Sequence, residues 1–192
     1  MRFALIDRIL SYRQDQGIRA AKTLSQAEEY LMDHFPGYPV MPGVLMIEVM
    51  TQAASWHLRM AGDFRYSLVT LEKASHVRFG HFVTPGDTLL VDLQIRDLDL
   101  VKGVASFRGK GRIRPGGADP EGLALEDLSV ACQAKLQVRG HRVEEVAPEL
   151  PASLVQETED RLRDSLRREL ACLGFPALDP DGGDGPEAGG GS

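Results

Sequence analysis

The strongest hydrophobic signal in the chain is the run from Val44 to Met60. There Leu45, Met46, Ile47, Val49, Met50, Ala53, Ala54, Trp56 and Leu58 leave no consistently polar side. At helical spacing this segment is apolar nearly all round, and such a helix is buried inside a domain rather than laid on its surface. Pro42 stands at its start, where a missing N–H costs nothing, and Gly62-Asp63 ends it.

Beyond the helix the period changes to two. Leu89, Val91, Leu93 and Ile95 alternate with Leu90, Asp92, Gln94 and Arg96. Ala105, Phe107, Gly109 and Ile113 alternate with Ser106, Arg108, Lys110 and Arg112, and Ser129–Val138 repeats the pattern. These stretches predict three half-buried strands, the first opened by a turn at Pro85-Gly86-Asp87. Upstream, the apolar run Phe3–Leu10 and the charged, alternating sequence to Thr23 predict a strand or hairpin. Tyr30–Gly43 holds three prolines and two glycines, which excludes regular helix and predicts an extended loop. Strands around one buried helix make an α+β architecture. Arg114–Asp127 predicts a flexible loop between the second and third strands. Leu154, Leu162, Leu166 and Leu170 predict an amphipathic helix, and the Gly-, Pro- and Asp-rich sequence from Pro176 predicts a disordered tail.

Composition narrows the class. The 192 residues suffice for one domain with a real core, and no stretch is long and apolar enough to cross a bilayer. The first residues, Met1 to Arg8, carry charge within their apolar run and do not read as a signal peptide. The two cysteines, Cys132 and Cys172, have no metal-site spacing, and Cys132 falls on the apolar side of a strand pattern. A cytoplasmic protein is therefore the expectation. The net charge of −6 is uneven: 17 basic and 16 acidic residues precede Gly140, and 5 basic and 12 acidic follow. A nearly neutral body with an acidic tail argues against a nucleic-acid binder, which needs a basic surface.

Four positions carry candidate chemistry. Glu48 lies within the apolar helix; a buried carboxylate either finds a partner or stays protonated, and a neutral carboxyl is a usable proton donor. Gln52 follows one turn later on the same face, placed to orient it. The plainer reading turns Glu48 to solvent or to a salt bridge. His34, in the proline-rich loop, has the titration range of a general base, although an isolated loop histidine is more often structural. That plainer reading is the one taken for His57, His76, His81 and His141. Gly43 opens the helix with an unsatisfied N–H at the positive end of the dipole, open to close approach by a carbonyl oxygen or serving only as helix-start chemistry. A base, an acid and an oxyanion donor suit an α,β-elimination, as one option among several.

The string His34-Phe35-Pro36-Gly37-Tyr38-Pro39-Val40-Met41-Pro42-Gly43-Val44, followed by Glu48 and Gln52, resembles the signature of β-hydroxyacyl-acyl-carrier-protein dehydratases of the FabZ type. Glutamate at 48 resembles the FabZ branch, where the FabA dehydratase–isomerases carry aspartate. Phe3-Ala4-Leu5-Ile6-Asp7-Arg8-Ile9 resembles the family's first strand, and Arg78-Phe79 with Val83-Thr84-Pro85-Gly86-Asp87 its segment before the long strands. The likeness covers Arg2 to Val138. It implies a hot-dog fold, an antiparallel sheet wrapped around the long helix, over residues 1–140, leaving a C-terminal extension over 141–175 and a tail over 176–192.

By the same resemblance the chain would dehydrate (3R)-3-hydroxyacyl-[acyl-carrier-protein] to the trans-2-enoyl product in fatty-acid or related lipid or polyketide synthesis. His34 would take the α-proton and Glu48 would assist loss of the hydroxyl. The N–H of Gly43 would hold the thioester carbonyl, and the carbonyl of Val40 would orient the imidazole. The resemblance implies no metal and no cofactor beyond the carrier's phosphopantetheine. The implied partners are an acyl carrier protein and a second copy of the chain, in a homodimer or a trimer of dimers with shared active sites. Gly80, His81 and Phe82 depart from the family's two basic residues and proline near the tunnel mouth. A hot-dog thioesterase and a catalytically silent acyl-binding subunit are the alternatives; the first would not need the His-Phe-Pro-Gly string, and the second has no reason to keep His34, Gly43, Glu48 and Gln52 together.

Overall fold

The computed structural model describes residues 3–33, 35, 37–117 and 124–175. Strands β1 (Arg8–Arg13) and β2 (Gly17–Thr23) form the expected hairpin. Helix α2 (Gly43–Ala61) follows a one-turn helix, α1 (Tyr30–Asp33). Then come β3 (Leu68–Phe79), β4 (Thr88–Asp99), β5 (Val104–Arg114) and β6 (Val130–His141), with α3 (Val143–Val146) and α4 (Ala152–Cys172) after them. The six strands make one antiparallel sheet in the order β1-β2-β4-β5-β6-β3. The sheet wraps α2, which is the hot-dog arrangement.

The period-two pattern places the core. On β5, Ala105, Phe107, Gly109, Gly111 and Ile113 face inward, matched by Leu89, Val91 and Leu93 on β4 and by Cys132, Ala134, Leu136 and Val138 on β6. The two glycines stand where the helix comes closest. A Cβ on Gly109 would lie 2.4 Å from Leu93 Cδ2 and 3.5 Å from Met50 Sδ, and one on Gly111 only 2.6 Å from Cys132 Sγ. The contacts with Leu93 and Cys132 are closer than packed atoms tolerate, whereas Met50 lies at ordinary contact distance, so glycine is required here by the side chains of the flanking strands.

The helix is not enclosed along its whole length, as an all-round apolar pattern predicts. Met46, Val49, Met50 and nearly every residue from Ala53 to Met60 are buried, but Val44 is 73% exposed and Leu45, Ile47 and Glu48 are half-buried. The first turns project past the sheet, so their apolar positions meet solvent.

Two further expectations need correction. The segment Tyr30–Gly43 does contain helix, the turn α1, because all three of its prolines lie beyond Asp33 and obstruct nothing before it. The strand β3 is absent from the sequence reading. It is an edge strand, mostly exposed on both faces, with register shifts between Leu71 and Lys73 and between Ser75 and Arg78. His76, inside the second shift, has φ 53°. Each irregularity resets the alternation, and with neither face buried there was no apolar period to find. Leu125–Asp127 form a 3₁₀ turn within the predicted loop after β5, while 118–123 and the predicted tail from 176 lie outside the described residues.

The amphipathic pattern after Pro151 is α4. Leu166, Leu170 and Leu173 join the same core as the sheet, Ile9 N–H donates to Leu173 O at 3.0 Å, and Arg167 pairs with Asp63 at 3.0 Å. The helix therefore crosses from the C-terminal end of α2 to the outer edge of β1.

His57, near the end of α2, is fully buried between Tyr12 and Phe107, with ring centroids 5.1 Å away on each side. Burial lowers its pKa to about 4, since a charged imidazole has no water here. Because the folded-state value lies below the ordinary one, the unfolded chain binds the extra proton first. The neutral ring's contribution is complete above pH ~6.5 and declines as pH falls toward 4, by about 3 kcal/mol in total. We expect thermal unfolding of a His57→Phe variant to depend less on pH between 4 and 6.5 than that of the parent chain. Parallel pH profiles would exclude His57 as the source.

Candidate active site

Glu48 and Gln52 are one turn apart on α2 and touch as their spacing predicts: Gln52 Nε2 donates to Glu48 Oε1 at 2.9 Å. The amide is fixed from its other side by the N-terminal segment. Leu5 N–H donates to Gln52 Oε1 at 2.8 Å, and Gln52 Nε2 also donates to Phe3 O at 3.1 Å. With a backbone N–H committed to its oxygen, the amide can present only its NH₂ group to the carboxyl. Glu48 has found a partner, but a neutral one, and it is half-buried rather than enclosed. One carboxyl oxygen is engaged; among the described residues Oε2 makes no hydrogen bond, leaving it available to carry or deliver a proton.

Gly43 begins α2 directly after Pro42. Leu45 and Met46 N–H both donate to Pro42 O, at 2.9 and 3.2 Å, so the N–H groups of Gly43 and Val44 are those the first turn leaves for a ligand. The space a side chain would need at Gly43 is occupied by Phe79 of β3, whose ring edge lies 2.9 Å from the ideal Cβ position. Close approach by Phe79 therefore requires glycine here whether or not a carbonyl oxygen also arrives.

The loop before the helix is held at several points. Val40 is buried, and Met41 N–H donates to Val83 O at 2.9 Å. Val83 begins the Val83–Asp87 turn, closed by Asp87 Oδ2 accepting from Thr84 N–H and Thr84 Oγ1 at 2.9 and 2.7 Å. That turn reaches back to the end of β2 through reciprocal bonds with Leu24, from Leu24 N–H to Asp87 O and from Gly86 N–H to Leu24 O. Upstream, buried Lys22 pairs with Glu28 at 2.6 Å and, more loosely, with Asp7 at 3.5 Å, which ties the segment ahead of α1 to β2. Tyr30 lies beside this pair; its phenol is pushed up chiefly by burial and further by Glu28. Within the proline-rich loop, Tyr38 N–H donates to Phe35 O at 2.9 Å and Gly37 takes φ 90°, which glycine adopts without strain. His34 itself lies outside the described residues.

Around the open end of α2 the surface is apolar. Phe35, Tyr38, Val44, Phe79 and Phe82 are each more than half exposed, and the rings of Tyr38 and Phe82 meet edge to face at 6.1 Å. The structure thus joins Glu48 to Gln52 and sets Gly43 and Val40 on the fixed approach to the same helix. The backbone partners Phe3 and Leu5, and Phe79 over Gly43, were missed by sequence reasoning. Any residue supplies an N–H, so the first two carried no signal; Phe79 belongs to the strand whose alternation is broken.

The chain matches the family model described as a FabA-like domain over residues 1–113. It is 35% identical over 138 residues to a 3-hydroxyacyl-[acyl-carrier-protein] dehydratase FabZ from Polaromonas naphthalenivorans, spanning 69% of this chain and 83% of that one. To a FabZ of the same description from Wolbachia pipientis it is 36% identical over 106 residues, 55% of this chain and 73% of that one. Among solved structures, the dehydratase heterocomplex ApeI:P from Xenorhabdus doucetiae matches with a TM-score of 0.55 at 20% identity, over 76% of this chain and 88% of that chain, a likeness of fold.

The Gln52 clamp is open to direct test. Replacing Gln52 with Leu leaves the Leu5 N–H and Phe3 O without their partner, at a cost of about 1–3 kcal/mol. Hydrogen exchange at the Leu5 amide should accelerate in step with the lost stability. Unchanged protection at Leu5 would mean that this bond does not hold the N-terminal segment.

Proposed function

The chain belongs to the FabA-like family, on its FabZ side, and from that premise we propose that it removes water from 3-hydroxyacyl thioesters carried on acyl carrier protein, with His34 as base and Glu48 as acid. The observation that carries the reading is the Glu48 carboxyl, held by Gln52 on a helix whose first-turn N–H groups remain open.

In this reading the imidazole of His34 takes the proton from the α-carbon. The electron pair forms the Cα–Cβ double bond as the bond from Cβ to the hydroxyl oxygen breaks. Glu48 supplies the proton with which the hydroxyl leaves as water, and the imidazolium later returns its proton to the carboxylate through solvent. Negative charge gathering on the thioester oxygen is met by the Gly43 N–H at the positive end of α2. The carbonyl of Val40 orients the imidazole. The residues assigned to these steps need no metal and no cofactor beyond the carrier's phosphopantetheine. The acyl carrier protein is the partner in this reading, and the cytoplasm its setting.

A second copy of the chain completes the site, in a homodimer or a trimer of such dimers. Support comes from β3, an edge strand bearing exposed Leu68, Leu71, Val77 and Phe79, which continues into the apolar surface at the open end of α2. An unpaired strand edge and an apolar patch side by side are what a two-fold contact covers.

Incubation with carrier-bound 3-hydroxyacyl chains, followed by intact-mass measurement of the carrier, tests the reaction. Loss of water is expected; loss of the whole acyl group would identify a thioesterase instead. Glu48→Gln should lower turnover by about 10²-fold while the chain stays folded.

Refolding His34→Ala chains together with Glu48→Gln chains tests the shared site. About half the dimers would be mixed, each with one intact site, and activity should return to roughly one quarter of the parent's. Activity near zero in verified mixed dimers would place both residues of a site in one chain.

A further inference from the structure

The face of the sheet turned away from α2 carries more positive charge than its own residues neutralise. Arg108 and Lys110 on β5, Lys135 on β6, Arg78 on β3 and Arg96 on β4 are all exposed, and among the described residues none is in an ion pair. The carboxylates that could serve them are mostly taken: Asp92, opposite Lys110, is held by Arg19 at 3.0 Å, and Glu72 is held by Arg139. Asp97, opposite Ser106, is the one acid left beside them. Arg108 and Lys135 are direct cross-strand partners, an arrangement of like charges that destabilises a sheet unless an anion lies over it. Two depressions of about 490 and 270 Å³ open between these side chains, and Arg108 and Lys135 border both.

The described part of the chain ends at the rim of this face. After α4 it passes the edge of β1 at Leu173, and Gly174 and Phe175 line an open groove over β1, β2 and β4 whose wall includes Arg96. Arg96 also borders the larger basic depression. The next residues, 176–192, contain Asp179, Asp181, Asp184 and Glu187 and no basic residue. From β4 to β6 is two strand spacings, ~10 Å, whereas 17 residues can span up to ~56 Å.

We propose that the acidic segment 176–192 docks on the basic outer face of the sheet, over Arg108, Lys110 and Lys135, and so competes with any acidic partner for that face. The contact is one of charge and requires no fixed conformation of the segment. Its consequence for catalysis rests on the reading above, with the acyl carrier protein as the acidic partner excluded; the docking itself does not.

Carbodiimide coupling of the full chain at low ionic strength, followed by peptide mass spectrometry, reads the docking directly. Isopeptide bonds should join Asp179, Asp181, Asp184 or Glu187 to Lys110 and Lys135, and should fade in high salt and in an Arg108→Glu variant. The exposed Lys102, on the turn between β4 and β5, is the control. Coupling to Lys102 as frequent as to Lys110 and Lys135, or no coupling from the segment, overturns the proposal.

A chain ending at Phe175 tests the consequence. A segment occupying the face two-thirds of the time raises the apparent KM for carrier-bound substrate about threefold, so truncation should lower it by that factor. The KM for an N-acetylcysteamine thioester, which has no carrier to dock, should stay unchanged. Specific coupling with an unaltered carrier KM would keep the docking and overturn the competition. Absence of dehydration in every chain, with coupling intact, would count against the assigned reaction and not against the docked segment.

Discussion

A helix with apolar residues on every side has no stable place in water, and the fold follows from enclosing α2. Six antiparallel strands supply an inner face, and two of the residues on that face, Gly109 and Gly111, are reduced to hydrogen because Leu93 and Cys132 of the flanking strands fill the space a side chain would need. Enclosure stops short of the helix N-terminus. The end that carries the positive dipole, where among the described residues the Gly43 and Val44 N–H groups have no acceptor, is the end left open, so the constraint that builds the core also exposes a part of the helix suited to meet an anion. Burying one half and presenting the other are two consequences of the same placement.

The parts of the molecule legible in sequence are those whose signal repeats locally. The limits of α2 agree within one residue with the apolar run, and β4, β5 and β6 follow their alternation because one face of each is buried. Edge strand β3 lacked that asymmetry, and its bulges put successive stretches out of phase. The turn α1 was hidden because the prolines of the window Tyr30–Gly43 all follow Asp33 and leave its first four residues unobstructed. At the site, the four-residue spacing of Glu48 and Gln52 was readable because helix geometry alone brings them together. The clamp from Phe3 and Leu5 was not, because it joins backbone atoms to a side chain 47 residues or more away. Periodicity left the reaction open among several; the long string from His34 to Val44 narrowed it, since no local physical rule demands those residues in that order.

Gln52 has a consequence larger than one hydrogen bond. An amide that could flip would offer Glu48 either a donor or an acceptor. The Leu5 N–H removes that freedom by occupying the amide oxygen. Glu48 therefore faces an N–H at Oε1. Bonds that help to hold the N-terminal segment are thus also the ones that orient the carboxyl.

In the proposed reading, the half-buried state of Glu48 is the point at which one chain alone would fall short of elimination chemistry. Charge developing on a thioester oxygen is stabilised best where water is excluded, and around Glu48 and Gly43 a single chain excludes it only in part. The exposed side chains at that end are not polar, as a permanently solvated helix start would allow, but aromatic and aliphatic: Tyr38, Val44, Phe79 and Phe82. Apolar groups arranged around an open helix end are costly as a finished surface and useful as half of one. A second copy docked through β3 would cover them, dry the site and enclose the carboxyl without altering a bond inside either chain. The acidic segment, on this arrangement, would act on the face of the sheet turned away from α2, whose basic depressions β3 also borders, so the apolar contact that completes the site and the charged contact would meet at that strand.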